Sequence, residues 1–120
     1  MASNYYDQTK VKADLNITDT GHDTQLDHWS DEAEAEIDNL LYIKAAKARL
    51  LTKLPVLPYA SGSVPEAVQG AADNYVKMRY YQFVKNFEAS NDMKKTWQEQ
   101  VENYVSRLGT DSIIYGRIAR

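Results

Sequence analysis

The sequence predicts an all-α fold, a small bundle of about four helices with an extended or strand-like C-terminal tail. Apolar residues recur at spacings of three and four along most of the chain, which is the pattern of helices with one buried face. Clusters of Pro, Gly, Asn and Asp interrupt this pattern and mark the connections. Because 120 residues suit one domain, we divide the chain into a helical domain, residues 1–109, and a C-terminal tail, residues 110–120.

The first predicted helix is short. Val11 and Leu15 are four residues apart and follow Asp7, whose carboxylate can accept a hydrogen bond from the first turn of a helix. Residues 16–22 then have the Asn, Thr, Asp and Gly content of a loop. We therefore expect about two turns at most.

A longer, acidic helix is predicted next, with Asp23 or Thr24 as its N-cap. Its helix-forming sequence continues past Leu41, with or without a bend, to about Lys53. It ends there because Pro55 disfavours helical geometry in the residues before it. One apolar stripe marks the predicted buried face: Leu26, Trp29, Ala33, Ile37, Leu40 and Leu41.

The third predicted helix spans roughly residues 64–85. Ser63 and Glu66 have the spacing of a capping box, and Pro65 falls where no intrahelical N–H donor is needed. This helix is apolar on most sides, so we expect it either at the centre of the bundle or in contact with a second surface. Its apolar residues are Val68, Ala71, Ala72, Tyr75, Val76, Met78, Tyr80, Tyr81, Phe83 and Val84.

The fourth predicted helix is the clearest. Residues 86–92, which precede it, have the composition of a turn, although one long kinked helix would also fit the pattern. Gly109 is placed as its C-terminal cap. Its apolar stripe consists of Met93, Trp97, Val101, Tyr104, Val105 and Leu108.

The tail after Gly109 has no helical stripe and combines β-prone apolar residues with arginine. Such a tail either packs on its own domain or docks on a partner, for instance by adding a strand to an exposed sheet edge. We favour docking. The candidate docking residues are Ile113, Ile114, Tyr115, Arg117 and Ile118.

Charge is divided unevenly along the chain. Residues 1–41 carry ten acids and two bases, whereas residues 42–120 carry seven acids and twelve Lys and Arg. This asymmetry fits a partner-binding or nucleic-acid-binding face, or contact between the acidic part of one copy and the basic part of the next. Solvated helix faces that balance within one monomer explain it equally well.

Few residues offer chemistry, and we expect no enzyme, no cofactor and no metal site. There is no cysteine, and His22 and His28 are six residues apart, which directs them to different sides of a helix. No glycine-rich phosphate loop or nucleophile elbow is present. Four close acids diverge around an exposed helix instead of converging in a cleft: Asp31, Glu32, Glu34 and Glu36.

Membrane insertion and secretion are also not expected. No run approaches the roughly 18 apolar residues of a membrane span. The polar start of the chain lacks the basic and apolar regions of a signal peptide. We therefore expect a cytosolic protein with no membrane partner.

Nine tyrosines stand out in this composition. Interleaved with Lys77, Arg79 and Lys85, they would suit a stacking platform for single-stranded nucleic acid. The acidic balance of the chain argues against this, and tyrosine is also favoured in cores and protein interfaces. We prefer core plus subunit interface, with Tyr80 and Tyr81 as the candidate interface aromatics, over core alone or nucleic-acid stacking.

The order of these features resembles the head-tail connector, or adaptor, family of tailed viruses, also called head completion proteins. The likeness spans about residues 9–108. Its motifs are degenerate patterns rather than invariant signatures. They are Val11-Lys-Ala-Asp-Leu15-Asn-Ile17, a polar loop with Asp23, the helix Leu26 to Leu41, Pro65-Glu-Ala-Val68-Gln-Gly-Ala71-Ala72-Asp-Asn-Tyr75, and Tyr104-Val-Ser-Arg-Leu108.

The resemblance implies a virion protein of the neck region, assembled in the host cytoplasm as a homo-oligomeric ring, usually a dodecamer, beneath the portal protein. The ring would extend the channel for genome packaging and ejection, so that double-stranded DNA passes through without specific binding. A neck or tail-completion protein would dock on its other side. Under this interpretation the acids of residues 31–36 line the channel or a subunit interface, and the tail grips the portal or a neighbour.

An alternative from another class is a small helical nucleic-acid-binding regulator of a virus or mobile element. Its basic helices and tyrosines would bind phosphates and bases. Affinity that falls steeply with salt would distinguish it from a connector.

Overall fold

The computed structural model describes the backbone of residues 4–118 and the side chains of residues 4–108. In this part of the chain every regular element is helical, so the predicted all-α bundle is confirmed. The elements in chain order are α1 (Gln8–Asp14), α2 (Asp23–Lys47), a 3₁₀ turn (Leu51–Lys53), α3 (Glu66–Phe83) and α4 (Phe87–Ile118).

Helix α1 begins as predicted. The Asp7 side chain accepts a hydrogen bond from the Lys10 N–H at 3.1 Å and caps the first turn. Asn16 has a φ of 57°, a left-handed conformation in which the helix cannot continue. Val11 is fully buried and fixes α1 against the rest of the bundle.

The N-cap of helix α2 lies one residue before the first of its two predicted positions. His22 is the N-cap and makes no side-chain capping bond, so the predicted cap at Asp23 or Thr24 was wrong. Asp23 is instead the first helical residue, where a carboxylate is stabilised by the helix dipole. The helix continues past Leu41 to Lys47.

The end of α2 comes before the predicted limit at Lys53. Arg49 adopts a φ of 59°, and the Leu50 N–H bonds back to the Ala45 carbonyl at 2.7 Å. This is the hydrogen-bond pattern of a left-handed helix terminus. Residues 48–65 then form the connection, which contains the 3₁₀ turn.

Helix α3 shows why the predicted capping box was wrong. Pro65, with extended ψ of 146°, is the N-cap, so Glu66 is the first helical residue instead of the fourth position of a box. Ser63 therefore lies two residues outside the helix and cannot cap it. At the other end Lys85, with φ of 62°, makes a tight turn, and α4 starts at Phe87, inside the predicted turn of residues 86–92.

Helix α4 is longer than predicted. Its backbone passes through Gly109 and continues to Ile118, which corrects both the C-terminal cap at Gly109 and the extended conformation of the tail. A glycine costs a helix interior only about 1 kcal/mol relative to alanine, and no proline follows it. The side chains of residues 109–120 lie outside the described part.

Helix α3 lies at the centre and contacts α1, α2 and α4, as predicted. The predicted stripes of α2 and α4 are confirmed as buried faces. A small cluster joins α1 to one end of α2 and α3: Val11, Leu26, Trp29 and Val76. A large cluster fills the rest of the bundle: Tyr5, Ala33, Ile37, Leu41, Ala45, Tyr59, Val68, Ala71, Ala72, Tyr75, Met78, Trp97, Val101 and Val105.

The small cluster marks one end of the bundle. Helix α3 runs antiparallel to both α2 and α4, because His22 contacts Phe83 and Ser90 binds the Met78 carbonyl at this end. At the other end Lys44 of α2 pairs with Glu102 of α4 at 2.9 Å. We call these the hairpin end, after the α3–α4 turn, and the far end.

Candidate docking surfaces

The four predicted channel or interface acids are divided by the structure. Glu32 is half-buried and its carboxylate lies 3.1 Å from the Arg79 Nε of α3 and 3.6 Å from His28. Asp31 and Glu36 are exposed, and Glu34 is half-buried. Glu32 therefore stabilises the contact of α2 with α3, while Asp31 and Glu36 stay at the surface.

The predicted interface aromatics belong largely to the fold of their own chain. Tyr80 packs against the small cluster and meets the His22 ring edge-on at a centroid distance of 6.0 Å. Tyr81 contacts Tyr80 in a similar geometry at 6.2 Å. Both are half-buried, so only part of each ring is available to a partner.

The side chains of the predicted docking residues in the tail lie outside the described part of the structure. Only their backbone is described, and it is helical. Helical backbone satisfies its own hydrogen-bonding groups, so this segment would not dock by adding a strand. Those residues are Ile113, Ile114, Tyr115, Arg117 and Ile118.

At the hairpin end, three large apolar side chains are exposed beside the α3–α4 turn. We call Phe83, Val84 and Phe87 the hairpin patch. The Phe83 ring still contacts His22 and Trp29 at centroid distances near 6 Å, which holds the patch against α2. Large apolar side chains that are exposed together are typical of interaction sites.

The far end carries a second set of exposed apolar side chains, which we call the far-end set. It begins on α2 with Tyr42 and Ile43 and continues in the connection with Leu51 and Val56, the last of them 92% exposed. Residues 42–65 contain four Lys and Arg and no acid. The far end therefore combines apolar surface with positive charge.

A chain of hydroxyl groups crosses the large cluster and was not predicted. Tyr5, 1% exposed, donates to the Asp38 carboxylate at 2.7 Å and accepts from the Tyr59 N–H at 2.9 Å. The Tyr59 hydroxyl in turn meets that of Tyr104 at 3.0 Å. These hydrogen bonds tie the N-terminal segment, α2, the connection and α4 together. Burial raises the pKa of Tyr5 and of Asp38.

Asp73 of α3 is a buried carboxylate that the sequence did not reveal. Its carboxylate accepts the Asp7 backbone N–H at 3.0 Å and so holds the start of α1 on α3. Burial raises the pKa of Asp73 to about 6, against the opposing effect of the Asp7 N–H. It lines a polar cavity of about 540 Å³ together with Lys10, Glu66 and Arg107.

A second cavity, of about 370 Å³, lies between α2 and α4 over the large cluster. Trp97, 5% exposed, lines it, and its indole N–H has no acceptor among the described residues. We call this cavity the α2–α4 groove. Its lining residues are Glu36, Asn39, Leu40, Tyr75, Met78, Lys94, Trp97 and Gln98.

Among the described residues, no group of three or more His, Cys, Asp or Glu is placed to hold a metal ion. None of the helices, in the part searched, is long and apolar enough to cross a membrane. Comparison with protein-family models, with curated proteins and with solved structures finds no match.

Proposed function

We propose that the chain is a structural subunit of the head-tail connector type, which assembles as a ring between the portal and the neck of a tailed virus. The observation that carries this proposal is the exposure of large apolar side chains at both ends of one small bundle. A spacer between two different partners needs a docking surface at each end. The hairpin patch and the far-end set provide two such surfaces.

The charges of the two ends differ, which suits two different partners. Around the hairpin end, α2 begins with Asp23, Asp27 and Asp31. The far end is basic over residues 42–65. The positive charge of the far end would steer an acidic partner surface to that end and disfavour docking in the reversed orientation.

The α2 surface also suits a DNA channel. Asp31 and Glu36 are exposed on α2, and residues 13–43 contain no Lys or Arg. Acids on a channel wall repel phosphate and let DNA slide without specific binding. In this proposal α2 faces the channel or the neighbouring copy.

Native mass spectrometry of the chain with the portal protein encoded beside it, and separately with the adjacent neck protein, tests the proposal. We expect a ring-sized complex with each partner. The double substitution Val84→Ser with Phe87→Ser should abolish one of the two complexes. Leu51→Ser with Val56→Ser should abolish the other.

Each double variant is the control for the other, because all four side chains are exposed and their loss should leave the helical circular dichroism unchanged. Failure of the unmodified chain to associate with either partner would remove the proposal. Salt-sensitive binding of nucleic acid without protein association would favour the regulator alternative instead, through Lys47, Arg49 and Lys53 of the basic far end.

A further inference from the structure

The cavity beside Asp73, which we call the polar cavity, has the size and lining of a binding site for a polar ligand. Its volume of about 540 Å³ lies within the roughly 300–1,000 Å³ typical of ligand pockets. Residues of the N-terminal segment, α1, α3 and α4 line it, and most of them have polar side chains. The polar cavity is separate from the hairpin patch and from the far-end set.

Asp73 is the group in this cavity that points to a ligand. The residue is only 5% exposed, yet it lines the cavity. Its Oδ1 accepts the Asp7 N–H at 3.0 Å, and the described residues provide no partner for Oδ2. The polar side-chain atoms of the described residues that are sealed and unpaired belong instead to Tyr6, Arg79 and Trp97. A ligand in the polar cavity can therefore reach the second oxygen of Asp73.

The charge of Asp73 is not compensated within the described part of the chain. Lys77 forms its ion pair with Asp14, at 2.6 Å, and Lys10 is exposed. Burial raises the pKa of Asp73 to about 6, and the opposing attraction of Lys10 and Lys77 does not offset it. A cation that brings its own N–H donors would stabilise the ionised carboxylate by charge and by hydrogen bonding.

We propose that the polar cavity binds an organic cation, a guanidinium or primary ammonium group that donates its N–H groups to Asp73 Oδ2 and to side-chain amide oxygens of the lining. Gln69 on α3 and Asn103 on α4 offer such oxygens. The cation is either a free small molecule or the Arg or Lys side chain of another protein. This inference goes beyond the connector role and does not depend on ring formation.

The charges of the lining favour a cation at the floor of the cavity. Acids outnumber bases, since Asp7, Glu66 and Asp73 line it with Lys10 and Arg107. Both bases are exposed, whereas Asp73 is buried. Water screens an exposed charge far more than a buried one, so the buried acid dominates the floor.

Arg107 also lies at the other end of the cavity from Asp73. Gln100 accepts a hydrogen bond from Asn74, the neighbour of Asp73, at 2.8 Å. Arg107 is seven residues further along α4, or roughly 10 Å at 1.5 Å per residue. Because α4 runs antiparallel to α3, Arg107 is carried towards Glu66 and away from the Asp73 carboxylate.

Nuclear magnetic resonance titration of the ¹⁵N-labelled full-length chain with ethylguanidinium chloride tests the site. The Asp7 backbone N–H donates to Asp73, so its resonance should shift as the cation binds. Ethylurea has nearly the same shape but no charge and should leave that resonance in place. Equal shifts with the two compounds would overturn the recognition of a cation.

Asp73→Asn removes the charge, while its amide oxygen can still accept the Asp7 N–H. We expect its affinity for ethylguanidinium to fall about tenfold or more. Asp27→Asn is the matched control, because it makes the same charge change at a half-buried position that does not line the cavity. Unchanged binding by Asp73→Asn, or an equal loss in both variants, would overturn the site.

Two substitutions at Asn103 keep the test decisive if Asp73→Asn does not fold. Asn103 is exposed on α4 and lines the cavity, so either change should leave the helical circular dichroism intact. Asn103→Arg should weaken ethylguanidinium binding several-fold, and Asn103→Asp should strengthen it. Affinities that do not move in opposite directions would contradict a cation at this position.

The pH dependence of binding gives a readout that a purely structural role of Asp73 would not. Ethylguanidinium should bind more tightly at pH 7 than at pH 5, because only the ionised carboxylate attracts it and the pKa of Asp73 is about 6. Equal affinities at the two pH values would overturn the assignment to Asp73. Other charged groups near it are shared with Asp73→Asn, so comparison of the two chains isolates Asp73: Asp7, Lys10, Glu66, Lys77 and Arg107.

The source of the cation is distinguished with an acetylated and amidated Gly-Arg-Gly peptide. Tighter binding of the peptide than of ethylguanidinium would support the site and assign it to an Arg side chain of a partner protein. Tighter binding of the free cation would support it as a small-molecule site. If ethylguanidinium, ethylammonium and the peptide all leave the Asp7 resonance in place, the inference is overturned and the connector proposal stands.

Discussion

The large and small clusters are held by different kinds of polar group. Around the large cluster, the hydroxyls of Tyr5, Tyr59 and Tyr104 link segments that are far apart in sequence, and a single carboxylate, that of Asp38, takes part in these links. Around the small cluster, α1 is held by the Asp73 carboxylate and by ion pairs, among them Lys12 with Asp23 at 2.7 Å. The difference teaches that pH and salt should act more strongly on the attachment of α1, where the carboxylate of Asp73 is buried, than on the large cluster, where Asp38 is only half-buried.

The largest expected effect comes from a matched pair of core truncations. Leu41 in the large cluster and Leu26 in the small cluster are both fully buried. Each Leu→Ala change should lower the free energy of unfolding by about 2–5 kcal/mol. We expect Leu41→Ala to cost more, because α1 can settle onto a cavity at Leu26 whereas the hydroxyl chain restrains the large cluster.

Urea denaturation followed by circular dichroism measures both variants. The comparison depends on equal m-values, which indicate that the unfolded state has not changed. A cost for Leu26→Ala that equals or exceeds the cost for Leu41→Ala would contradict the view that α1 is the more adaptable part.

The second prediction removes one hydroxyl from the large cluster. Tyr5→Phe leaves the buried Tyr59 N–H without its acceptor and Asp38 without one donor, so the free energy of unfolding should fall by about 1–3 kcal/mol. Tyr104→Phe is the control, because it removes one hydroxyl contact at a half-buried position and should cost less. An equal loss in the free energy of unfolding for the two variants would mean that the two hydrogen bonds of the Tyr5 hydroxyl contribute no more than the contact between Tyr59 and Tyr104.

The buried faces followed from the sequence, but the polar links did not. Side-chain periodicity alone identifies Leu26, Ile37 and Val101 as core residues, since helix geometry fixes which residues share a face. The bond from Tyr5 to Asp38 joins residues 33 apart and depends on how the helices pack. No local rule encodes such a distance.

Helix ends were predictable only where the cap is local. Asp7 caps α1 within its own turn, and Tyr6 just before it packs on the small cluster that contains Val11. This is the spacing of a hydrophobic staple, a signal that would have placed Tyr6 against the core. At α3 the helix starts after the extended backbone of Pro65, and the capping-box spacing of Ser63 and Glu66 does not set its start.

For the α2–α4 groove, the sequence placed Trp97 in the core but could not reveal that its indole N–H is unpaired among the described residues.

The smallest expected effect is a pH dependence at the attachment of α1. The pKa of Asp73 is about 6 in the folded chain, above the ordinary 3.8, so between these values the folded state binds more protons than the unfolded state. The free energy of unfolding should therefore rise as pH falls from 7 to 5, and this contribution is lost again as pH rises through about 6.

Asp73→Asn isolates that contribution, because the amide oxygen can still accept the Asp7 N–H while no proton is exchanged. Solvent in the polar cavity screens the carboxylate, so we expect a difference on the order of 1–2 kcal/mol between pH 5 and pH 7 in the unmodified chain relative to the variant. Urea denaturation of both at the two pH values measures it. Subtracting the variant removes the contributions of all other groups, because the two chains share them. Parallel pH profiles would show that the Asp73 carboxylate is already ionised in the fold, and the contrast between a hydroxyl-linked and a carboxylate-linked cluster would then rest on salt dependence alone.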